Sequence, residues 1–269
     1  MSKKEVFNLD GSKNEEINIP KVFLTPYRPE IIRRVYNSLI THEKQRQGVD
    51  PLAGKRTSAT SWGVGRGAAR MARVKGERHP RAGMAAGVAS VVKGRQAHPP
   101  KAEKKIYRKI NQKERHLAIA SAVAATAIPE IVAKRGHRIE KITSFPLIVS
   151  DDIEVVDKAS DLKLILEKLG LFDDINRASM SWKRRSGTAR MRGRTTKSSK
   201  GPLFVVSTEK GLNRAVKNFL GAECVLANKI SLTELAPGSH PGRLTIWTKS
   251  SFDHLPKRIL DIGEKNESN

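Results

Sequence analysis

Cysteine, aromatic side chains and acidic residues are all scarce in this chain of 269 residues, and no long apolar run occurs. Its single cysteine, Cys224, lies in a short apolar run. That excludes a disulfide framework and suits a reducing interior, where the thiol serves as a small buried hydrophobe. The most apolar stretch, Leu117 to Ile128, has 12 residues and stops at Pro129, well short of the roughly 20 that span a bilayer. Residues 1–10 carry lysines but no apolar core of a signal peptide, so a soluble, cytoplasmic protein without a membrane partner is expected. Seven histidines are dispersed, with His79 and His98 each preceding a proline. With one cysteine, this argues against a zinc site, and neither metal nor cofactor is expected.

Acidic residues number 27 against 51 Lys and Arg, a net charge of +24. This excess is concentrated. Residues 44–101 hold 13 basic side chains against Asp50 and Glu77, together with nine of the 20 glycines. Residues 183–200 hold eight basic and no acidic side chains. The remainder is nearly neutral. Two cationic devices on a neutral body suit a polyphosphate, whose released counterions drive the binding of Lys and Arg.

The first device has no helical or strand period, although it carries apolar anchors at Trp62, Met71, Met84, Val91 and Val92. Its apolar surface is too small to offset its ordering entropy, so alone it is expected to be mobile. It lies between two apparent helices. One begins at Pro29, with a stripe of Ile31, Ile32, Val35, Tyr36, Leu39 and Ile40, and is stopped by Gly48 and Pro51. The other is expected over about 102–127, with Ile106, Ile110, Leu117, Val123 and Ala124 on its inner face and six alanines between 118 and 127. Strand-like segments at 6–9 and 16–19 precede the first helix. After Gly136, β-branched apolar runs at 147–149, 203–206, 224–226 and 244–247 alternate with helical segments, including 162–169 and 174–178. Ser231 with Glu234, and Ser250 with Asp253, fit capping boxes. The expected fold class is α/β: a three-layer domain with a mostly parallel central sheet, plus a long irregular extended loop inserted between two helices. The domain assignment is 1–43 with 102–262 as one globular unit, 44–101 as an extended basic RNA-penetrating loop, 183–200 as a second basic loop at a sheet edge, and 263–269 as a flexible tail.

Two glycine patterns imitate nucleotide sites. Between Gly48 and Gly54 stand five residues where a phosphate-binding loop has four, and Arg56 occupies its Ser/Thr position. The run Gly63, Gly65, Gly67 lacks the strand that a dinucleotide fingerprint requires. Its missing Cβ atoms instead allow close backbone approach to a crowded surface while Arg66 and Arg70 reach phosphates. Trp62 suits stacking on an unpaired base, packing on a neighbouring protein or folding back on the body, and Trp182 suits stacking or packing at a helix end. Adjacent acids at Asp151-Asp152 and Asp173-Asp174 do not converge on one point and are read as caps and solvated groups. No catalytic residue is expected.

Three segments, Gly54-Lys-Arg-Thr57, Ser61-Trp-Gly-Val-Gly-Arg-Gly67 and Lys93-Gly-Arg-Gln-Ala-His-Pro-Pro-Lys101, closely resemble the long loop of the universal large-subunit ribosomal protein family numbered four. The resemblance continues through Asn111-Gln-Lys-Glu-Arg-His-Leu117, Ala124-Ala-Thr-Ala127, Leu235-Ala-Pro-Gly238 and Pro241-Gly-Arg-Leu-Thr-Ile-Trp-Thr248. The His-Pro-Pro-Lys and Leu-Ala-Pro-Gly segments look archaeal, and the chain ends without the long tail of eukaryotic members. The stretch Trp182 to Arg194 matches the second basic loop more loosely, since Thr188 and Ala189 replace glycine or lysine. The resemblance implies a structural constituent of the large subunit, located in the cytoplasmic ribosome and lacking enzyme activity. It implies binding of large-subunit ribosomal RNA and neighbouring ribosomal proteins, and no small-molecule substrate. A loop tip near Trp62 to Arg81 (Gly63, Gly65, Arg66, Gly67 and Arg70) is expected to line the peptide exit tunnel and touch the nascent peptide. RNA contacts are expected from Lys55, Arg56, Trp62, Arg66, Arg70, Arg73, Arg78, Arg81, Lys93, Arg95, His98 and Lys101. The second loop adds Arg184, Arg185, Arg190, Arg192 and Arg194. Rival readings are an RNA-modifying or RNA-cleaving enzyme, marked by acids or nucleophiles converging at the strands' C-terminal ends and not visible in the sequence, and a messenger-RNA-binding regulator.

Overall fold

The computed structural model of the chain describes residues 3–265. Strands β1 (Lys3–Phe7) and β2 (Lys13–Asn18) are followed by helix α1 (Pro29–Glu43). Two short strands, β3 (Ala59–Thr60) and β4 (Arg73–Val74), precede α2 (Gln112–Thr126), α3 (Pro129–Lys134) and β5 (Leu147–Val149). Helices α4 (Ala159–Lys168) and α5 (Phe172–Met180) lead into the second basic stretch, which holds β6 (Lys183–Arg184), α6 (Gly187–Met191) and β7 (Thr196–Lys197). Then come β8 (Leu203–Val206), α7 (Leu212–Val216), β9 (Glu223–Leu226), α8 (Leu232–Leu235), β10 (Thr245–Thr248) and α9 (Lys257–Lys265). By packing, these elements form two units, one of Met1–Ile40 with Lys109–Asn269, the other of Thr41–Arg108.

In the first unit, six strands form one sheet in the order β2-β1-β5-β10-β8-β9, parallel except for the β1/β2 pair. The apolar runs forming β5, β8 and β10 are therefore inner strands buried on both faces, whereas β9 at the sheet edge is half-buried. Alternation along each strand divides the core in two. Val6, Ile148, Leu203, Val205 and Trp247 face a cluster with Val22, Phe23, Ile32, Val35 and the alanines of α2. Phe7, Leu147, Val149, Phe204, Val206 and Ile246 face another with Leu162, Leu166, Ile175, Leu212 and Val216. Trp247, with no exposed surface, makes edge-to-face contact with Phe23 at 5.4 Å between centroids and stacks on Phe252 at 5.6 Å. Alanines let α2 approach closely, so that Ala118 to Thr126 is buried without a break. Among the described residues no helix is long and apolar enough to cross a membrane.

Several boundaries differ from expectation. Helix α2 starts at Gln112, about ten residues after the start expected near 102. Lys101/Lys105, Lys104/Arg108 and Lys105/Lys109 would place like charges one turn apart, which opposes a helix there. Asn111, extended at φ −68° and ψ 139°, marks the actual start. Ile106 thus lies outside the helix, whereas Ile110 still packs on the core. Strands expected at 6–9 and 16–19 lie nearer the chain start, because charged pairing such as Lys13–Glu5 at 2.6 Å extends the hairpin beyond its apolar residues. The capping box at Ser231 forms, its N–H donating to Glu234 Oε2 at 2.9 Å. That at Ser250 does not: its N–H and hydroxyl both donate to Asp151 Oδ1 at 2.9 Å. Helix α9 reaches Lys265, so 263–265 of the expected tail are helical, and 266–269 lie outside the described residues.

Candidate nucleic-acid interface

Within the unit Thr41–Arg108, the chain closes on itself in steps. Thr41 Oγ1 accepts the Arg108 N–H at 3.1 Å, and the His42 and Tyr107 rings stack at 4.1 Å. Farther along, the Val49 N–H donates to the Pro100 carbonyl. Gly54 and Gly94 lie where backbones nearly touch: a Cβ on Gly54 would stand 2.5 Å from Gly94. Strands β3 and β4 pair antiparallel, and Arg73 bridges to Ala85. This segment is richer in backbone pairing than its aperiodic sequence suggests.

Gly63, Gly65 and Gly67 have φ of 73°, 85° and 60°, and a Cβ on any of them would meet nothing within 4 Å. These glycines serve the left-handed backbone turn itself, so the close-approach reading finds no crowding partner within this chain. Trp62 is half exposed, with Arg66 at 5.7 Å and Arg73 at 5.1 Å from its ring centroid and Gly83 beneath its ring edge. Arg73 also donates to the Gly83 carbonyl at 2.8 Å, and Arg56 pairs with Asp50 at 2.5 Å, so both are engaged within the segment. Lys55, Arg66, Arg70, Arg78, Arg81, Lys93, His98 and Lys101 are exposed, whereas Arg95 is half-buried.

In the second basic stretch, β6 and β7 pair through Lys183/Lys197 and Arg184/Thr196, and α6 caps the hairpin. Thr188 and Ala189 support that helical turn, which glycine would disfavour. Arg184, Arg190, Arg192 and Arg194 are exposed and Arg185 is half-buried. The stem is pinned to α5: Ser181 Oγ accepts the Ser199 N–H at 2.7 Å, and Arg177 donates to the Lys200 carbonyl at 2.9 Å.

Three buried polar groups escape sequence reasoning. Asp174, read as a solvated cap, is fully buried and accepts from the Arg138 N–H at 3.1 Å and Arg177 Nε at 2.8 Å, with His137 Nδ1 2.9 Å away. A signal existed: Leu171, Asp174, Ile175 and Ala178 share one helical stripe. Burial, outweighing Asp174, pushes the His137 imidazole below its ordinary pKa, so a neutral ring donates from Nδ1. Asp174→Asn is expected to cost about 3 kcal/mol, as when a buried charge loses its partner, measurable by chemical denaturation.

Glu154 is equally buried and stands where the parallel strands end. It accepts from the Ser207 N–H at 2.8 Å, Ser207 Oγ at 2.9 Å, Thr208 Oγ1 at 2.8 Å and Thr248 Oγ1 at 3.0 Å. Acids and hydroxyls therefore do converge at the strands' C-terminal ends, contrary to expectation. The carboxylate's lone pairs are taken up by these donors, and the knot ties the loop after β5 to β8 and β10. Arg243, also without exposed surface, donates to the carbonyls of Gly201, Gly221 and Glu234 and pairs with Glu223 at 2.6 Å. Among the described residues no group of acids, histidines and cysteine has the arrangement of a metal site. Cys224 is half-buried, and burial pushes its thiol up to about 12.

One cavity of about 620 Å³ opens beside the second stretch, lined by Tyr27, Lys134, Arg135, Arg177, Lys200 and His240 among others. Apart from Lys200, the last cation of the second stretch, none of these stands out in the sequence, because they come from five separate segments and share no period.

Residues 17–258 match the family model described as ribosomal protein L4/L1. Over 268 residues the chain is 43% identical to the large ribosomal subunit protein uL4 of Methanosphaera stadtmanae, with all of both chains covered. It is 41% identical to the uL4 of Methanopyrus kandleri, covering 94% of this chain and 98% of the relative. Against the uL4 of Sulfolobus acidocaldarius identity is 46%, covering 96% and 95%. With nearly full coverage by archaeal relatives and a family match over most of its length, the chain belongs to the ribosomal protein L4/L1 family, whose members are structural ribosomal proteins and not enzymes.

Proposed function

We propose that this chain is a constituent of the large ribosomal subunit that binds its RNA through two cationic elements, and through them supports subunit assembly. The observation that carries this reading is charge placement. Exposed Lys and Arg side chains crowd 44–101 and 183–200, while Asp50 and Glu77 are the only acids in either stretch. Cations left without carboxylates are the footprint of a phosphate backbone. Lys55, Arg56, Lys93, Arg95, His98 and Lys101 hold the stem of an extended loop, and Arg184, Arg185, Arg190, Arg192 and Arg194 anchor the second. Family membership supports a tip at Gly63, Gly65, Arg66, Gly67 and Arg70, with Arg73, Arg78 and Arg81 behind it. This tip lines the peptide exit tunnel and meets the nascent peptide. Positive φ at three unhindered glycines gives it a sharp turn with little side-chain bulk. The remaining partners are neighbouring ribosomal proteins, and the site of action is the ribosome in the cytoplasm.

RNA contact, in this reading, completes the ordering of the loop. Trypsin is expected to cut the free protein between Lys55 and Lys93 while the sheet-containing unit survives, and RNA is expected to suppress those cuts. A loop already protected in the free protein contradicts ordering by RNA. Deleting Val64 to Ala82 is expected to leave the chain folded and bound to RNA, because the stem and second loop keep most of the phosphate contacts. Loss of all RNA binding on that deletion would transfer the affinity to the tip.

A further inference from the structure

The cavity beside the second basic stretch contains a cation with nothing to neutralise it. Arg135 donates from Nη2 to the Pro237 carbonyl at 3.1 Å, but its Nη1 is buried with no acceptor. No carboxylate among the described residues lies within ion-pairing distance of it. Burial and the neighbouring Arg243 and Arg177 push its guanidinium down to about 10, the signature of positive charges gathered without compensation. Lys134, Arg177 and Lys200 line the same cavity, and the lining contains no acid. Asp174 and Glu223, which lie outside the lining, are already committed to Arg177 and to Arg243 with Lys200. An anion is the missing component. Flat rings are also present: Tyr27 and His240 line the cavity, and each is partly or largely exposed. Ser199 and Lys200 make its wall continuous with the second cationic stretch.

We propose that this cavity receives one nucleotide of the bound RNA, its phosphate neutralising Arg135 and Lys134 and its base stacking on Tyr27 or His240. An acidic peptide would satisfy the cations but leave the rings unused, whereas an unpaired nucleotide uses both. The inference rests on the RNA-binding reading above and adds a specific seat in the sheet-containing unit, at the base of the second basic stretch and centred on residues outside it.

Two measurements on the full chain test it. In the first, the histidine ring signals are followed by NMR while adenosine monophosphate, inorganic phosphate, adenosine or a polyglutamate peptide is added. The expected result is a shift of the His240 signals with the mononucleotide at lower concentration than with phosphate or adenosine, lost in Arg135→Gln. No response to the mononucleotide at millimolar concentration, a response surviving Arg135→Gln, or a stronger response to polyglutamate overturns the assignment. In the second, RNA affinity at fixed salt is compared for the natural chain, Arg135→Gln and Lys134→Gln. The last replaces an exposed side chain, so it keeps the test valid if Arg135→Gln fails to fold. A loss of about tenfold is expected for Arg135→Gln, the scale of one charged hydrogen bond, and a smaller loss with a shallower salt dependence for Lys134→Gln. Unchanged affinity in both variants overturns the cavity assignment and leaves the RNA reading standing. Failure of the natural chain to bind RNA refutes that reading, and with it the RNA origin of the nucleotide.

Discussion

Affinity for large-subunit RNA is expected to fall by about a thousandfold or more over a few-fold rise in salt concentration, the range for a protein that makes several phosphate contacts. Exposed cations in 44–101 and 183–200 set this scale. Some are already engaged within the chain: Arg56 with Asp50, and Arg73 with the Gly83 carbonyl and the Trp62 ring. These are expected to contribute less to the slope than Arg70, Arg184, Arg190, Arg192 and Arg194. Filter binding or fluorescence anisotropy across a salt series measures the slope directly. A flat dependence would mean that apolar or base contacts hold the RNA and that the charge concentration has another purpose.

Glu154→Ala is expected to destabilise the sheet-containing unit by about 3–5 kcal/mol, the range for removing one partner from a buried charged network. Ser207, Thr208 and Thr248 direct four donor groups at this carboxylate, the Ser207 hydroxyl reaching both of its oxygens. Removing it strands the buried Thr248 hydroxyl and loosens the half-buried Ser207, whereas the exposed Thr208 can turn to water. Burial pushes the Glu154 carboxyl up, but the Ser207 N–H and the three hydroxyls outweigh it, and the pKa lies below the ordinary 4.5. The unfolded chain therefore binds this proton more readily than the folded one. The stabilisation is fully present above about pH 4.5 and is lost as pH falls through the folded-state value. Urea melts at pH 7 and at progressively lower pH measure both effects. Glu154→Gln is expected to lose stability at pH 7 and to flatten the acid limb. If Glu154→Ala melts like the natural protein, the network does not tie the strand ends together.

The parallel sheet was legible because its inner strands are short β-branched runs buried on both faces, so composition alone distinguishes them from amphipathic helices. Leu203–Val206 and Leu147–Val149 were located to the residue. The start of α2 was not, since the alanine-rich run from Ala118 suggested a longer helix than the lysines before Asn111 permit. Buried charges were the main blind spot. Asp174 could have been found on the apolar stripe of α5, but Glu154 takes its donors from residues more than 50 positions away, which no local pattern encodes. The two cationic stretches were visible from charge counting. The backbone pairing inside 44–101 was not, because it rests on carbonyl and amide contacts such as Val74 with Met84. Nor was the Arg135 cavity, whose lining is assembled from distant segments.

Co-sedimentation with large ribosomal subunits in high salt tests the central claim most directly. Loosely adsorbed basic proteins dissociate as their phosphate contacts are screened, whereas an integral constituent enclosed by folded RNA is retained by the assembled particle. The chain is expected to remain with the large subunit through a high-salt wash even though the isolated protein binds free RNA weakly at the same salt. Its release into the supernatant while other core proteins stay with the particle would contradict the account.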